Sequence, residues 1–162
     1  MNRNYKNFLS IIGIALFLIF LASFQVSFIN SSFLNLNLFL ILILYLVLTK
    51  NDSKALIFAW LGGILTSLSY FSNFGTNSLV LLILTVILII LYKTVFLTLK
   101  TESILLISII GVTLYHLLNW LLTNGEFGLY FAGREILTEL ILTALILLII
   151  FKIKTQNAQK FT

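Results

Sequence analysis

Residues 78–93 read SLVLLILTVILIILYK, an apolar run that ends at a basic residue. Such a run favours a membrane-spanning helix, because about 20 apolar residues cross the hydrocarbon layer as an α-helix. The whole chain has the same character: of its 162 residues 60% are hydrophobic and 9% are charged, and its mean hydropathy is +1.14. Soluble domains carry about 25% charged residues. The sequence therefore predicts an integral membrane protein.

Polar residues divide the chain into six apolar stretches, and the chain contains no proline. We predict an all-α, polytopic membrane helical bundle that forms a single transmembrane domain over residues 1–162. Short connections make consecutive helices antiparallel neighbours. The aromatic and glycine residues of segment 124–134, NGEFGLYFAGR, favour a turn-rich loop at the level of the lipid headgroups. The predicted helices are 8–29, 33–49, 55–72, 78–98, 103–123 and 135–151.

Basic residues lie at the ends of these helices and predict the topology. If the N-terminus is cytoplasmic, nine of the ten Lys and Arg residues fall inside and only Arg134 falls outside. Cytoplasmic loops of membrane proteins are enriched in Lys and Arg, so both termini are expected in the cytoplasm. The same residues would contact anionic lipids at the cytoplasmic rim, and no nucleic-acid partner is expected. The nine are Arg3, Lys6, Lys50, Lys54, Lys93, Lys100, Lys152, Lys154 and Lys160.

The residue types that most catalytic sites need are scarce. The chain has no Cys, a single His (His116) and a single Asp (Asp52). Zinc sites and thiol nucleophiles require residues that are missing here, and no glycine-rich phosphate-binding loop occurs. We therefore expect no enzymatic activity, no cofactor and no bound metal.

Small residues recur at every fourth position of the third predicted helix: Ala55, Ala59, Gly63 and Ser67. We call these four residues the small-residue ridge. Such a ridge lets two helix backbones approach closely. It serves either to pack the bundle or to bind a helix of a partner, and the sequence leaves both interpretations open.

Two polar stripes lie in the last two predicted helices, and antiparallel packing would bring them together near the outer end. A carboxylate within a membrane span is unfavourable unless it is paired, so we expect Glu139 to contact His116 or Arg134. Three roles remain open for this intramembrane polar network: a structural one, a proton or ligand site, and a partner-facing surface. The stripes are His116, Asn119 and Thr123 in the fifth helix, and Glu135, Glu139 and Thr143 in the sixth, next to Arg134.

Residues 55–93 and 109–122 combine four features: glycines in the third helix (Gly62, Gly63), a turn with Phe74 and Gly75, an apolar helix ending at Lys93, and a later helix with Gly111, Tyr115 and His116. In these features the chain resembles the rod shape-determining protein MreD family of small bacterial membrane proteins. The resemblance covers about 70 of the 162 residues. The chain departs from the family at Thr66, where an acidic residue is common, and it lacks the proline that is common before the turn glycine.

This resemblance implies a non-enzymatic, multi-pass subunit of the bacterial cytoplasmic (inner) membrane. Such a subunit helps to organise the peptidoglycan elongation complex and cell shape. The resemblance also implies a bitopic MreC-like partner and, through it, the wall synthases and the actin-like cytoskeleton.

A second function is compatible with the same residues, namely the substrate-binding S component of an energy-coupling-factor vitamin transporter. Such a component is also a compact six-helix membrane protein, and it needs a ligand pocket near the outer face. The polar stripes and segment 124–134 would line that pocket.

Overall fold

The computed structural model describes residues 3–25, 36–70, 75–95, 101–123 and 129–159. Over these residues the protein is all-helical with six α-helices, as predicted. Three of them contain segments that are long and apolar enough to cross a membrane: Thr76–Val95, Thr101–Leu122 and Ile136–Lys154. The helices are α1 (Arg3–Phe24), α2 (Leu38–Leu48), α3 (Asp52–Tyr70), α4 (Thr76–Val95), α5 (Thr101–Thr123) and α6 (Leu129–Gln159).

The bounds of the last helix differ most from the prediction. Helix α6 begins at Leu129 rather than at 135 and continues to Gln159 rather than ending at 151. Residues 129–134, predicted as part of a turn-rich loop, are therefore helical; residues 124–128 lie outside the described part. Gly133 does not stop the helix, because a glycine in a helix interior costs only about 1 kcal/mol relative to alanine.

Helix α2 is shorter than the predicted helix 33–49. It has 11 residues, and at 1.5 Å per residue it is about 16 Å long, roughly half the thickness of the hydrocarbon layer. Asn37 is its N-cap, and the side-chain oxygen of Asn37 accepts a hydrogen bond from the backbone N–H of Leu40 at 3.1 Å. This side chain satisfies one of the backbone donors that have no partner at the start of a helix.

The other end of α2 closes with two backbone hydrogen bonds that run back into the last turn. The N–H of Lys50 donates to Val47 at 3.0 Å, and the N–H of Asn51 donates to Leu46 at 2.9 Å. Lys50 has a φ of 59°, the left-handed conformation that ends many helices. The chain therefore reverses sharply and enters α3 at Asp52.

Helix α2 is the centre of the bundle, since it contacts α3, α4, α5 and α6. A helix that is apolar on all sides is buried on all sides, and this is what the structure shows for α2. Its completely or almost completely buried side chains are Phe39, Leu40, Ile43, Leu44, Val47 and Leu48.

Side-chain contacts fix the direction of the helices around α2. The hydroxyl of Tyr92, near the end of α4, donates to the carbonyl of Leu48 at 3.3 Å. The rings of Tyr45 in α2 and Phe151 in α6 lie 5.6 Å apart. Helices α2, α4 and α6 therefore end on one side of the bundle, where α3 begins. We call this side the lysine end, after Lys50, Lys54, Lys93, Lys152 and Lys154.

The outer surface of the bundle is apolar. In α1, which packs against α3, Phe20 and Leu16 are 64% and 62% exposed, and in α6 Leu137 is 60% exposed. Soluble proteins rarely expose apolar patches of this extent. Such a surface is suited to contact with lipid chains.

Candidate functional site

A buried carboxylate joins three helices on the side of the bundle away from the lysine end. Glu139 in α6 is only 2% exposed. Its Oε1 accepts a hydrogen bond from the backbone N–H of Asn37 at 3.2 Å, and its Oε2 lies 2.6 Å from Nε2 of His116 in α5. We call Asn37, His116 and Glu139 the Glu139 node.

The N-terminus of α2 positions the first of these contacts. The side chain of Asn37 caps α2 by accepting a hydrogen bond from the backbone N–H of Leu40. The backbone N–H of Asn37 itself donates to Glu139. The N-terminus of a helix carries a partial positive charge and stabilises a nearby anion. The carboxylate of Glu139 therefore lies where the α2 backbone favours it.

His116 supplies the second contact. Its Nε2 lies 2.6 Å from Oε2 of Glu139, so one hydrogen atom lies between the imidazole nitrogen and the carboxyl oxygen. The ring of Tyr115 meets the imidazole edge-on at 5.4 Å. Hydrogen bonds to both carboxylate oxygens offset part of the unfavourable desolvation of a buried charge.

A buried hydroxyl lies one helical turn beyond Glu139. Thr143 is fully buried, and within the described residues its Oγ1 has no hydrogen-bond partner. Other helix hydroxyls in this protein bond to their own backbone: Thr85 and Ser108 donate to the carbonyl four residues earlier, at 2.6 and 2.7 Å. Because the side chain of a helical residue tilts toward the preceding turn, the Thr143 hydroxyl lies on the side of its helical turn nearer to Glu139.

Of the remaining members of the predicted network, the structure describes only one side chain, that of Asn119. Asn119 is half-buried in α5, one turn after His116. Arg134 and Glu135 belong to the N-terminal part of α6, and their side chains, like that of Thr123, lie outside the described part. Of the two partners predicted for Glu139, the structure brings His116 into contact.

The small-residue ridge lies inside the bundle, with Ala55, Ala59, Gly63 and Ser67 all buried. Gly63 contacts helix α4 directly, because a Cβ at this position would overlap the backbone of Ser78. The hydroxyl of Ser78 donates to the carbonyl of Trp60 at 3.1 Å. Packing of α3 against α4 accounts for the burial of Gly63.

Two further glycines let α2 approach its neighbours. A Cβ at Gly62 in α3 would lie 2.6 Å from Cδ1 of Phe39, and a Cβ at Gly111 in α5 would lie 2.7 Å from Cδ2 of Leu44. Both distances are shorter than any van der Waals contact between carbons. The glycines of α3 and α5 therefore make room for the large side chains of α2.

Sequence reasoning missed Asn37 as a member of the site, because the predicted helix 33–49 placed it in a helix interior. The signal was present: an Asn directly before the uninterrupted apolar run LFLILILYLVL is a typical helix N-cap. The distant partner of its backbone N–H, Glu139, could not be read from the sequence.

Among the described residues no group of three or more His, Cys, Asp or Glu side chains could hold a metal ion. Glu139 makes two contacts in the node, with the backbone N–H of Asn37 and with the imidazole of His116. Comparison with known proteins finds no family model, no curated protein and no solved structure that matches this chain.

Proposed function

We propose that this chain is a non-enzymatic membrane subunit similar to MreD, which helps to organise the cell-wall elongation complex. One observation carries the proposal: described residues that the chain has in common with the MreD family lie at close helix contacts, at a turn with positive φ and in the Glu139 node. Gly63 packs on the backbone of Ser78, Gly111 packs on Leu44, Gly75 has a φ of +94°, and His116 binds Glu139.

This coincidence supports the resemblance because the shared residues are not generic features of an apolar chain. A leucine-rich helix has no need of a glycine, whereas close helix contact requires a small residue. A turn residue with positive φ favours glycine for a different, conformational reason. The shared residues thus have distinct structural roles in α3, in α5 and in the turn before α4.

The proposed protein spans the bacterial cytoplasmic membrane six times with both termini in the cytoplasm. The clustering of Lys50, Lys54, Lys93, Lys152 and Lys154 at one end supports this orientation, since positive charges are retained on the cytoplasmic side. In this topology α2 forms the lysine-end half of the second crossing.

The proposed partner is a bitopic MreC-like protein, and through it the wall synthases. The small-residue ridge is buried, so the partner helix would contact an exposed face. The outer face of α3 is a candidate, because Ile57, Trp60 and Leu68 share it by helical spacing and are each more than half exposed.

Co-purification tests this proposal. The chain is co-expressed with the MreC-like protein of the same bacterium, and the complex is captured on a tag carried by the partner. We expect recovery of the wild type, and at least several-fold lower recovery of Trp60→Ala because aromatic anchors dominate interfaces. Ile149→Ala in α6, where Ile149 is similarly exposed (56%), is the matched control. No recovery of the wild type would contradict the proposal.

One observation favours the alternative, the S component of a vitamin transporter. The Thr143 hydroxyl is buried beside Glu139 and has no partner in the described part of the chain, as expected of a polar group that binds a ligand. Isothermal titration of the wild type against a panel of vitamins tests this function. Saturable binding that is lost in a folded Glu139→Gln variant would favour the transporter function over the MreD-like one.

A further inference from the structure

The lysine end carries more positive than negative charge. Among the side chains that the structure describes, five lysines from three helices and the α2–α3 turn meet there, and the acidic ones on the same side are Asp52 and Glu102 at the starts of α3 and α5. Five lysines and two carboxylates leave a net charge of +3. A charge of this sign at a membrane surface attracts anionic headgroups.

The lysines differ in how much of their charge is already neutralised. Nζ of Lys93 forms an ion pair with Oδ2 of Asp52 at 2.5 Å. Lys154 is exposed, and its Nζ lies 5.9 Å from the ring centre of Tyr45 and 6.0 Å from that of Phe151. A cation over an aromatic ring is attracted by the ring but keeps its full charge. Lys154 is thus held at the seam of α2 and α6 with its charge available to an anion.

An exposed apolar stripe on α6 leads to this position. Its residues recur at every fourth position and are about half exposed or more, so they form one continuous ridge on the outer face. With a rise of 1.5 Å per residue the ridge is roughly 24 Å long, which is close to the length of the hydrocarbon layer. The α6 stripe consists of Leu137, Ile141, Leu145, Ile149 and Ile153.

We propose that the lysine end of α6 is a binding site for an anionic phospholipid. The phosphate lies beside Lys154, which follows the last residue of the α6 stripe, and an acyl chain lies along the stripe. The inference rests on the proposed function only in requiring that the chain is embedded in a membrane. Charge complementarity identifies the occupant, because a zwitterionic lipid offers no net negative charge to the ammonium group of Lys154 or to the positively charged lysine end.

Lipid titration of the purified full-length chain tests the site. Phosphatidylglycerol or phosphatidylcholine is added to the protein in a neutral detergent, and bound lipid is counted by native mass spectrometry. We expect preferential binding of phosphatidylglycerol, and on the order of five-fold weaker binding for Lys154→Gln, since one lysine near an anionic surface contributes about this factor. Lys154→Arg should keep the affinity.

Lys93→Gln is the matched control, because Lys93 is already paired with Asp52; its effect should be less than two-fold. Equal weakening by Lys93→Gln and Lys154→Gln would overturn the site, as would equal binding of the two lipids. Displacement of phosphatidylglycerol by an equal concentration of glycerol phosphate would also overturn it, because the apolar stripe would then contribute nothing.

Two measurements keep this result separate from the proposed function. Resistance of the wild type to carbonate extraction from membranes reports whether the chain is embedded, and co-purification with the MreC-like partner reports the complex. Failure of the lipid preference in a chain that passes both measurements overturns the lipid site alone.

Discussion

Glu139 and His116 meet at 2.6 Å between α5 and α6, while the other oxygen of Glu139 accepts the backbone N–H of Asn37 at the start of α2. One carboxylate thus connects three helices. The relationship explains how a helix as short as α2 begins inside the bundle. Backbone donors at a helix start need partners, and Glu139 and the Asn37 side chain supply two acceptors.

Replacement of Glu139 is expected to destabilise the bundle, by an amount that depends on how many hydrogen bonds of the Glu139 node the new side chain keeps. Glu139→Gln keeps an oxygen for the N–H of Asn37 and an N–H for a neutral His116, so we expect a loss of about 1 kcal/mol. Glu139→Leu leaves the buried N–H of Asn37 and the partly buried imidazole of His116 without this partner, so we expect a loss of about 3 kcal/mol. Unfolding of the purified protein in detergent measures both.

A double variant provides the control for this prediction. If the contact between His116 and Glu139 is the cause, His116→Leu combined with Glu139→Leu should lose less stability than the sum of the two single changes. Strict additivity of the two losses would contradict a direct coupling between these residues.

Gly63 and Gly13 form a matched pair for testing the contact between α3 and α4. A Cβ at Gly63 would overlap the backbone of Ser78, whereas a Cβ at Gly13 would have nothing within 4 Å. We expect Gly63→Ala to lower the free energy of unfolding by about 1–3 kcal/mol through overpacking, and Gly13→Ala to lower it not at all. Thermal unfolding in detergent compares them, and equal stabilities would refute the close contact.

Substitution of Gly75 tests the effect of backbone conformation in the absence of a steric clash. Its φ is +94°, and a Cβ added there would meet nothing within 4 Å. Gly75→Ala should therefore cost on the order of 1–2 kcal/mol through backbone strain alone. Gly75→Asn should cost less, because Asn tolerates positive φ better than Ala. The same unfolding assay applies, and an unaltered midpoint for Gly75→Ala would be inconsistent with this turn.

Cysteine labelling tests the proposed topology, since the chain has no native Cys. An impermeant reagent added outside intact cells should label Thr76→Cys, at the start of α4. It should not label Ser53→Cys or Gln156→Cys, which lie at the lysine end and are exposed. Ser32→Cys and Gly128→Cys, outside the described part, are also expected to react. Labelling at the lysine end alone would reverse the orientation.

Much of the helical framework was predictable because it depends on local sequence. The starts of α3 and α5 lie within a few residues of the predicted ones, since polar residues interrupt long apolar runs there. The extension of α6 to Leu129 was missed because glycine and aromatic residues were read as a loop, and its extension to Gln159 was missed because the apolar run ends at 151. In the absence of proline these residues continue a helix at low energetic cost.

The sequence by itself determined that the chain is helical and strongly apolar, because hydropathy and helix formation depend on residues close together in the chain. It also marked Glu139 as unfavourable without a partner. Only the tertiary structure decided that Asn37, 102 positions away, donates to that carboxylate. It likewise decided that Gly63 faces α4. Helical spacing shows which residues share a face, whereas the register between helices depends on how all their side chains pack together.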